Sequence, residues 1–334
     1  MRCVLRNETD PYFNLAAEEY VFRNFEDDTF MLWRNLPSVI IGKHQNAFAE
    51  VNYQYIKDHD IKVVRRISGG GAVYHDLGNL NFTFTAKCDK NNLVDFSRYL
   101  HPIINVITKL GVEPVQGLRN NLYIDGKKIS GNAEHVYKEK VIHHGTLLFN
   151  SNLENLERSI KQSHINYEDK AVKSTRSTVV NISECIKQQL NIEDFESFIM
   201  KEMMHSFKDT HLYQFTNEDI AAINKLKIDK YITWQWNYGY SPTFKFRTHF
   251  NVNEEQFDAE VLIKDGLIEN IQLIDVVVVT SPVKETLNYI IGIPLNESIV
   301  AEKLGSFVSP RQIELIIQSL FTGSTAEHLQ NPNV

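Results

Sequence analysis

Arg65-Arg66-Ile67-Ser68-Gly69-Gly70-Gly71-Ala72-Val73-Tyr74-His75-Asp76 is where the fold declares itself. Residues 62–66 read as a strand that enters this stretch, 72–75 as one that leaves it, and 79–85 as a third. The three glycines therefore join strand to strand. A Walker loop needs Gly-Lys-Ser/Thr after its spacer, and a dinucleotide fingerprint opens a helix; this stretch does neither. Consecutive glycines cost backbone entropy and add no packing, so they make sense where main chain passes close to a ligand. Two arginines at a strand end can hold a carboxylate or a phosphate. The alternative is a solvated hairpin with a flexible tip; on this stretch alone the anion-binding loop is the better account.

Outward from the loop, residues 14–25 place Leu15, Tyr20 and Phe22 among acidic residues, as a short amphipathic helix does. Runs at 30–34 and 38–42 read as strands, and 96–110 as a helix capped by Gly111. Asp125-Gly126, between runs at 120–124 and 127–136, signals a hairpin, because both central positions of a type I′ turn need positive φ. A strand at 141–150 and helices at 194–207 and 218–225 follow. After the turn-rich segment 234–242, strands resume over 244–274 with a second turn at Asp265-Gly266, and helices close the chain. Two domains are expected, 1–243 and 244–334. Strands outnumber helices early and do not alternate with them. The large domain thus reads as α+β with a mixed, mostly antiparallel sheet, and the small one as α/β.

Composition narrows the function. Of 334 residues, 43% are hydrophobic and 23% charged, and the net charge of -7 argues against a general nucleic-acid or membrane binder. Cys3, Cys88 and Cys185 are scattered and match no zinc spacing, which suits a reducing compartment. The N-terminal residues lack the apolar core of a signal peptide, and the most apolar stretch, 271–279, is too short to span a bilayer. A cytoplasmic protein is expected.

The Asp125-Gly126 hairpin would pair Ile124 with Lys127, Tyr123 with Lys128 and Asn121 with Ser130. Strand alternation then gathers Lys128, Ser130 and Asn132 on one face and Ile129, Gly131 and Ala133 on the other. Lys128 would project from a rigid element among hydrogen-bonding groups, as a lysine that stabilises developing charge should. On the hairpin alone, a solvent-facing edge is favoured. His143 and His144 enter an apolar strand through Gly145-Thr146. Adjacent strand residues face opposite ways, so the pair does not chelate one metal; one histidine lining a pocket and one satisfied by backbone is the expected arrangement. The same geometry, and the lack of a marked nucleophile, dismiss a His75–Asp76 hydrolytic dyad.

In this order and at these distances, the segments at 10–19, 32–46, 65–79, 127–133, 143–150, 174–181 and 234–242 make the chain resemble the lipoate–protein ligase A family over nearly its whole length. The resemblance implies a catalytic domain related to biotin protein ligases and class II aminoacyl-tRNA synthetases. It implies activation of lipoate with ATP and Mg²⁺ to lipoyl-AMP, then transfer to a lysine of an acceptor. The acceptors it implies are lipoyl domains of 2-oxoacid dehydrogenase E2 subunits or the glycine-cleavage H protein. A monomer is expected. Arg65, Ser68 and Gly69, Gly70 and Gly71, with Ala72 and Val73, match the loop around the lipoate carboxylate and adenylate phosphate; Arg66 matches the second family arginine. His75 and Asn79 match pocket-lining positions, and Lys128 matches the lysine that touches acyl carbonyl and phosphate. Asn120, Asn121, Ser130, Gly131, Asn132, Ala133, His144, Gly145 and Thr146 match segments enclosing the nucleotide. Trp33 and Val73 are candidates for the wall of the acyl tunnel.

One departure stands out. The family has Arg-Asn-Asp before the hairpin, whereas this chain has Arg119-Asn120-Asn121. Asn keeps the shape and loses the charge, so metal use, nucleotide affinity or rate should differ. The alternatives are an ATP-independent octanoyl or lipoyl transferase of the same fold, for which Cys88 is the candidate thiol, and a catalytically weakened acyl-carrier-binding member. A biotin ligase is disfavoured because its basic Gly-Arg-rich loop has no counterpart.

Overall fold

The computed structural model describes residues 1–88, 94–160, 165–252, 255–274 and 281–323. The apolar stretch at 271–279 runs past the described residues after 274. Two units emerge from the internal contacts. One comprises Met1–Lys43, Lys62–Glu157 and Ser174–Ile232; the other comprises His44–Ile61, Arg158–Lys173 and Thr233–Val334.

The strands of the first unit are β1 (Arg2–Leu5), β2 (Thr29–Trp33), β3 (Ser38–Ile41), β4 (Lys62–Arg65), β5 (Val73–His75) and β6 (Asn79–Lys87). They continue with β7 (Val115–Gln116), β8 (Leu122–Ile124), β9 (Lys127–Ser130), β10 (Asn132–Tyr137), β11 (Lys140–Leu148) and β12 (His211–Leu212). Six form one sheet in the order β10-β11-β6-β2-β1-β12. Its pairs are antiparallel except β2–β1 and β1–β12. In a second sheet β3 lies between β4 and β5, parallel to the first and antiparallel to the second. β7, β8 and β9 make a third, antiparallel sheet. The fold is therefore mixed α+β and mostly antiparallel.

Strand alternation divides the large sheet chemically. The first helix is α1 (Pro11–Asn24). Leu80, Phe82 and Phe84 of β6 and Leu147 of β11 join a buried cluster with Tyr99, Leu100 and Ile103 of α2 (Phe96–Thr108). Phe195 and Ile199 of α3 (Ile192–Ser206) belong to the same cluster. Each such aromatic or aliphatic side chain contributes about 1.5–3 kcal/mol by leaving water. The intervening residues of β6, Asn79, Asn81, Thr83 and Thr85, are buried as well and carry the polar side of the sheet.

Against expectation, α1 is not an amphipathic surface helix: Glu18 and Glu19 are only 1% and 2% exposed. Asp10 caps it through the Tyr12 N–H, and Pro11 opens it without losing a needed donor. Glu19 is neutralised where it lies. Its Oε2 accepts from Lys230 Nζ at 2.7 Å and from the Tyr231 hydroxyl at 2.6 Å, and its Oε1 from Arg23. Lys227–Tyr231, a π-helical turn after α4 (Asn217–Leu226), is thereby bound to α1.

The Asp125-Gly126 turn has φ values of 49° and 75°, as a type I′ turn requires. Ile124 pairs with Lys127 and Tyr123 with Lys128, but Ser130 pairs with Leu122 rather than Asn121. A bulge between Leu122 and Tyr123 takes up one residue and shifts the register beyond it.

In the second unit Tyr167–Asp169 pairs with β13 (Phe244–Val252), followed by β14 (Glu255–Lys264) and β15 (Leu267–Ile274), in one antiparallel sheet. Three helices follow: α5 (Ser281–Asn288), α6 (Glu297–Leu304) and α7 (Pro310–Phe321). Phe244, Phe246, Val261, Ile263, Ile316 and Leu320 are among its buried core. α7 starts on a capping box between Ser309 and Gln312.

Candidate active site

The glycine loop is held open from inside by Arg66. Its guanidinium donates to Ile40 O at 3.0 Å, Gly69 O at 2.6 Å, Gly71 O at 2.9 Å and Ser68 Oγ at 3.0 Å. Because C=O and N–H are antiparallel across a trans peptide, drawing in two carbonyls turns the N–H groups of Gly70 and Ala72 away from the arginine. Ser174 Oγ takes the Ala72 N–H at 2.7 Å, and none of the described residues accepts from Gly70. Gly70 alone of the three has the left-handed φ, 91°, that excludes a side chain. A Cβ at Gly71 would press on Ser174, whereas one at Gly69 would meet open space. Arg65 is fully buried and donates to Gly42 O at 3.0 Å and Lys43 O at 3.1 Å.

Across the large sheet, Ala133, His144, Thr83 and Met31 lie on one rung, and Asn132, Gly145, Phe82 and Leu32 on the next. A Cβ at Gly145 would stand 2.1 Å from Asn132 Oδ1 and 2.5 Å from the Phe82 ring, so only glycine fits between these strands. Gly131 exchanges hydrogen bonds with Thr146, through Thr146 Oγ1 at 3.0 Å and Thr146 N at 3.0 Å. A Cβ at Gly131 would meet Lys128 Nζ at 3.1 Å and Val73 Cγ1 at 3.6 Å, which places the lysine head beside the glycine loop's exit strand. Lys128 is bolted by its own backbone, donating to Thr178 O at 2.8 Å and accepting from Val180 N at 3.1 Å. Burial, then Arg66 and Arg119, push its ammonium down to about 8. Asn132 Nδ2 donates to Asn120 O and Ser130 Oγ, while its Oδ1 has no partner among the described residues. Asn120 and Arg119 have consecutive left-handed φ values of 58° and 55°. Asn121 Nδ2 donates to the Tyr123 hydroxyl at 3.4 Å.

The two histidines of β11 separate as alternation requires. His143 turns into the aromatic cluster of Phe82, Phe96 and Tyr99, and its Nδ1 meets Glu134 Oε1 at 2.8 Å, a carboxylate rather than backbone. Burial pushes the imidazole well down and the Glu134 carboxyl up to about 7. His144 turns to the polar side, where its Nε2 lies 2.6 Å from Ser68 Oγ and its Nδ1 3.0 Å from Glu18 Oε1. Thr83 donates to the same Glu18 oxygen at 2.5 Å and accepts from Trp33 Nε1 at 2.9 Å. Glu18 was not legible as a site residue; its partners lie 65 and 126 residues away.

His75 accepts from Asn35 Nδ2 at 3.1 Å, so its proton sits on Nε2, which has no partner among the described residues. Burial, helped by Arg66 and His144, pushes it down to about 3. It is a neutral donor whose Nε2 proton none of the described residues takes. Asn79 donates to Asn81 Oδ1 at 2.8 Å and keeps its own Oδ1 unpartnered among the described residues. Cys88 lies five residues beyond Thr83 along β6, about 16 Å from the His144 rung at strand rise.

Residues 10–204 match the lipoyl protein ligase A/B catalytic domain family. The chain is 41% identical over 271 residues to lipoate–protein ligase 1 of Staphylococcus aureus, covering 80% of this chain and 82% of that protein. Among solved structures it is similar to a lipoate-protein ligase A bound with ATP, with 26% identity, a TM-score of 0.62, and coverage of 72% of this chain and 98% of that one. It is likewise similar to a bipartite lipoate protein ligase studied with its E2 lipoyl domain from Thermoplasma acidophilum. There the identity is 27%, the TM-score 0.63, and the coverage 72% of this chain and 96% of that one.

Proposed function

The chain belongs to the lipoyl protein ligase A/B family, and on that footing we propose that it is an ATP-dependent lipoate–protein ligase that works through a lipoyl-adenylate. The observation that carries this reading is the half-buried Lys128 cation, rigid on its hairpin, beside a glycine loop that Arg66 has shaped for an anion. Attack of a carboxylate on the α-phosphate brings two anions together. Lys128, the Arg66-held loop and the Gly70 N–H offset that repulsion with fixed charge and dipoles. Lys128 then stabilises the oxyanion formed when the acceptor lysine attacks the mixed anhydride. Of the two arginines, Arg66 shapes the glycine loop, while Arg65 donates to the main chain just after β3.

Among the described residues no group of three or more His, Cys, Asp and Glu is arranged to hold a metal. We take Mg²⁺ to enter with the triphosphate as part of the substrate. Lipoate lies with its carboxylate at Ser68 and its tail along Val73, His75, Asn79 and Trp33. Ala72, Ser130, Asn132, Ala133, His144, Gly145 and Thr146 close round the nucleotide side together with Asn120, Asn121, Gly69, Gly71 and Gly131. Residues 1–243 carry catalysis and 244–334 an accessory role. The distance of Cys88 from the site speaks against a thioester-forming transferase. No described helix is long and apolar enough to cross a membrane, and three free thiols suit the cytoplasm. We assign a monomer acting on E2 lipoyl domains or the glycine-cleavage H protein; the T. acidophilum ligase studied with its E2 lipoyl domain supports the former.

The test is to incubate the chain with lipoate, MgATP and an isolated lipoyl domain, and to weigh the acceptor. A lipoyl mass increment on one lysine, absent without ATP, is expected. Transfer from an acylated carrier without ATP would replace the ligase by a transferase.

A further inference from the structure

The hydrogen-bond directions around Ser68 follow from the chemistry of its partners. A guanidinium only donates, so Ser68 Oγ accepts from Arg66 Nε. A carboxylate only accepts, so His144 Nδ1 carries a proton and gives it to Glu18, at 3.0 Å and 3.2 Å from the two oxygens. Neutral imidazole then has a bare Nε2, and the 2.6 Å contact is filled by the proton of Ser68 itself. In that state the serine offers an incoming carboxylate only lone pairs. One more proton on the pair reverses the contact. Nε2–H donates to Ser68, both serine lone pairs are occupied, and the hydroxyl proton is free to point at the ligand.

Glu18 is the acceptor that faces the Nδ1 side of the ring. It is 1% exposed on α1 and takes hydrogen bonds from His144 and Thr83. The other groups around His144 do not supply a competing anion in contact. Arg66, from the segment after β4, repels an imidazolium; His75 on β5 is held neutral, and His143 beside it on β11 is driven toward the neutral form by burial. His135 on β10 is pushed down by burial and then by Lys43. Arg6 stands behind Glu18, its guanidinium buried and bonded to Asn14.

We propose that Glu18 is a positioning residue for carboxylate recognition: with His144 it takes up a proton when the acid binds, reversing the Ser68–His144 hydrogen bond so that Ser68 donates to the substrate carboxylate. This rests on the ligase reading above. It goes further in assigning a role to a residue outside the loop and hairpin, and in predicting that acid binding consumes a proton from solvent.

The experiment is calorimetric titration of lipoate into the full chain at about pH 7 to 8.5, in two buffers of different ionisation enthalpy. Wild type should take up a substantial fraction of one proton per lipoate bound. Glu18→Gln should lose that uptake and bind lipoate about 10- to 100-fold more weakly, the loss expected for a charge-assisted hydrogen bond. Its ATP affinity should fall less than its lipoate affinity, and Glu18→Asp should restore part of the uptake. Lipoate binding by wild type without proton uptake overturns the proposal, whatever the variants do. So does uptake that persists in Glu18→Gln, or equal weakening of lipoate and ATP together with a lowered melting temperature, which would mark a merely structural carboxylate. If wild type binds no lipoate at all, the ligase reading fails first.

Discussion

Replacing Gly42 by alanine should disable the glycine loop while leaving the fold standing. Gly42 follows β3, and a Cβ there would sit 2.1 Å from Gly70 O, 3.1 Å from Gly70 C and 3.2 Å from Gly69 C. All three are backbone atoms, so no rotamer change relieves the clash. Ordinary contact begins at 3.4 Å, and 3.4 minus 2.1 leaves a retreat of 1.3 Å for the loop to make. A Cβ at Gly69 would meet nothing within 4 Å, so this side of the loop is not packed against other atoms. Such a retreat stretches the Arg66 contacts to Gly69 O and Gly71 O, now 2.6 Å and 2.9 Å, towards the limit of a hydrogen bond. Overpacking of this kind costs about 1–3 kcal/mol of stability. A reacting group misplaced by about 1 Å costs on the order of 10²-fold in rate. The assay is kcat/KM for lipoate-dependent ATP–pyrophosphate exchange, with a thermal melt as control. A folded Gly42→Ala protein within threefold of wild type would show that the position of this loop does not govern the chemistry.

Three further outcomes can be checked. Arg119 helps to depress Lys128, so Arg119→Gln should move the alkaline fall in adenylation, expected near pH 8 as Lys128 loses its proton, to higher pH; an unmoved limb would mean that another group titrates. Asn121→Asp should change the Mg²⁺ dependence or rate of adenylation, since it adds a charge two residues from Tyr123 on the strand that faces Lys128; identical profiles would sink that idea. Acid stability carries a third. His75 binds its proton in the folded state only near pH 3, so the unfolded chain binds more protons below about 6.5, and stability falls there by about 1.4 kcal/mol per pH unit. Glu134, raised to about 7, opposes this: folded, it holds a proton between about 4.5 and 7 that the unfolded chain does not, and its contribution grows as pH falls. Glu134→Gln should therefore steepen the acid loss seen in urea unfolding between about pH 7 and 5, and an unchanged slope would mean that Glu134 is ionised.

Local signals told most where local chemistry decides structure. Asp125-Gly126 and Asp265-Gly266 announced their turns because few other residue pairs adopt two consecutive positive φ values. Gly111, with φ 83°, follows α2 at the position expected of a helix stop. The register beyond Tyr123 was not legible, since a bulge depends on what the strand must reach rather than on its own residues. Neither was the burial of α1. Acidic residues on a short helix read as a solvated face, and only the long-range partners His144 and Lys230 reveal why Glu18 and Glu19 are inside. Arg65 and Arg66 are indistinguishable in sequence; alternation along a strand end sends one to the end of β3 and the other to the loop.

Lipoate-dependent ATP–pyrophosphate exchange with Mg²⁺, on wild type and on Lys128→Ala, tests the central claim most directly. Strong exchange that collapses in the variant, with its melting temperature preserved, is the predicted result. Absence of exchange in a folded wild type, or full exchange without the lysine, would contradict it.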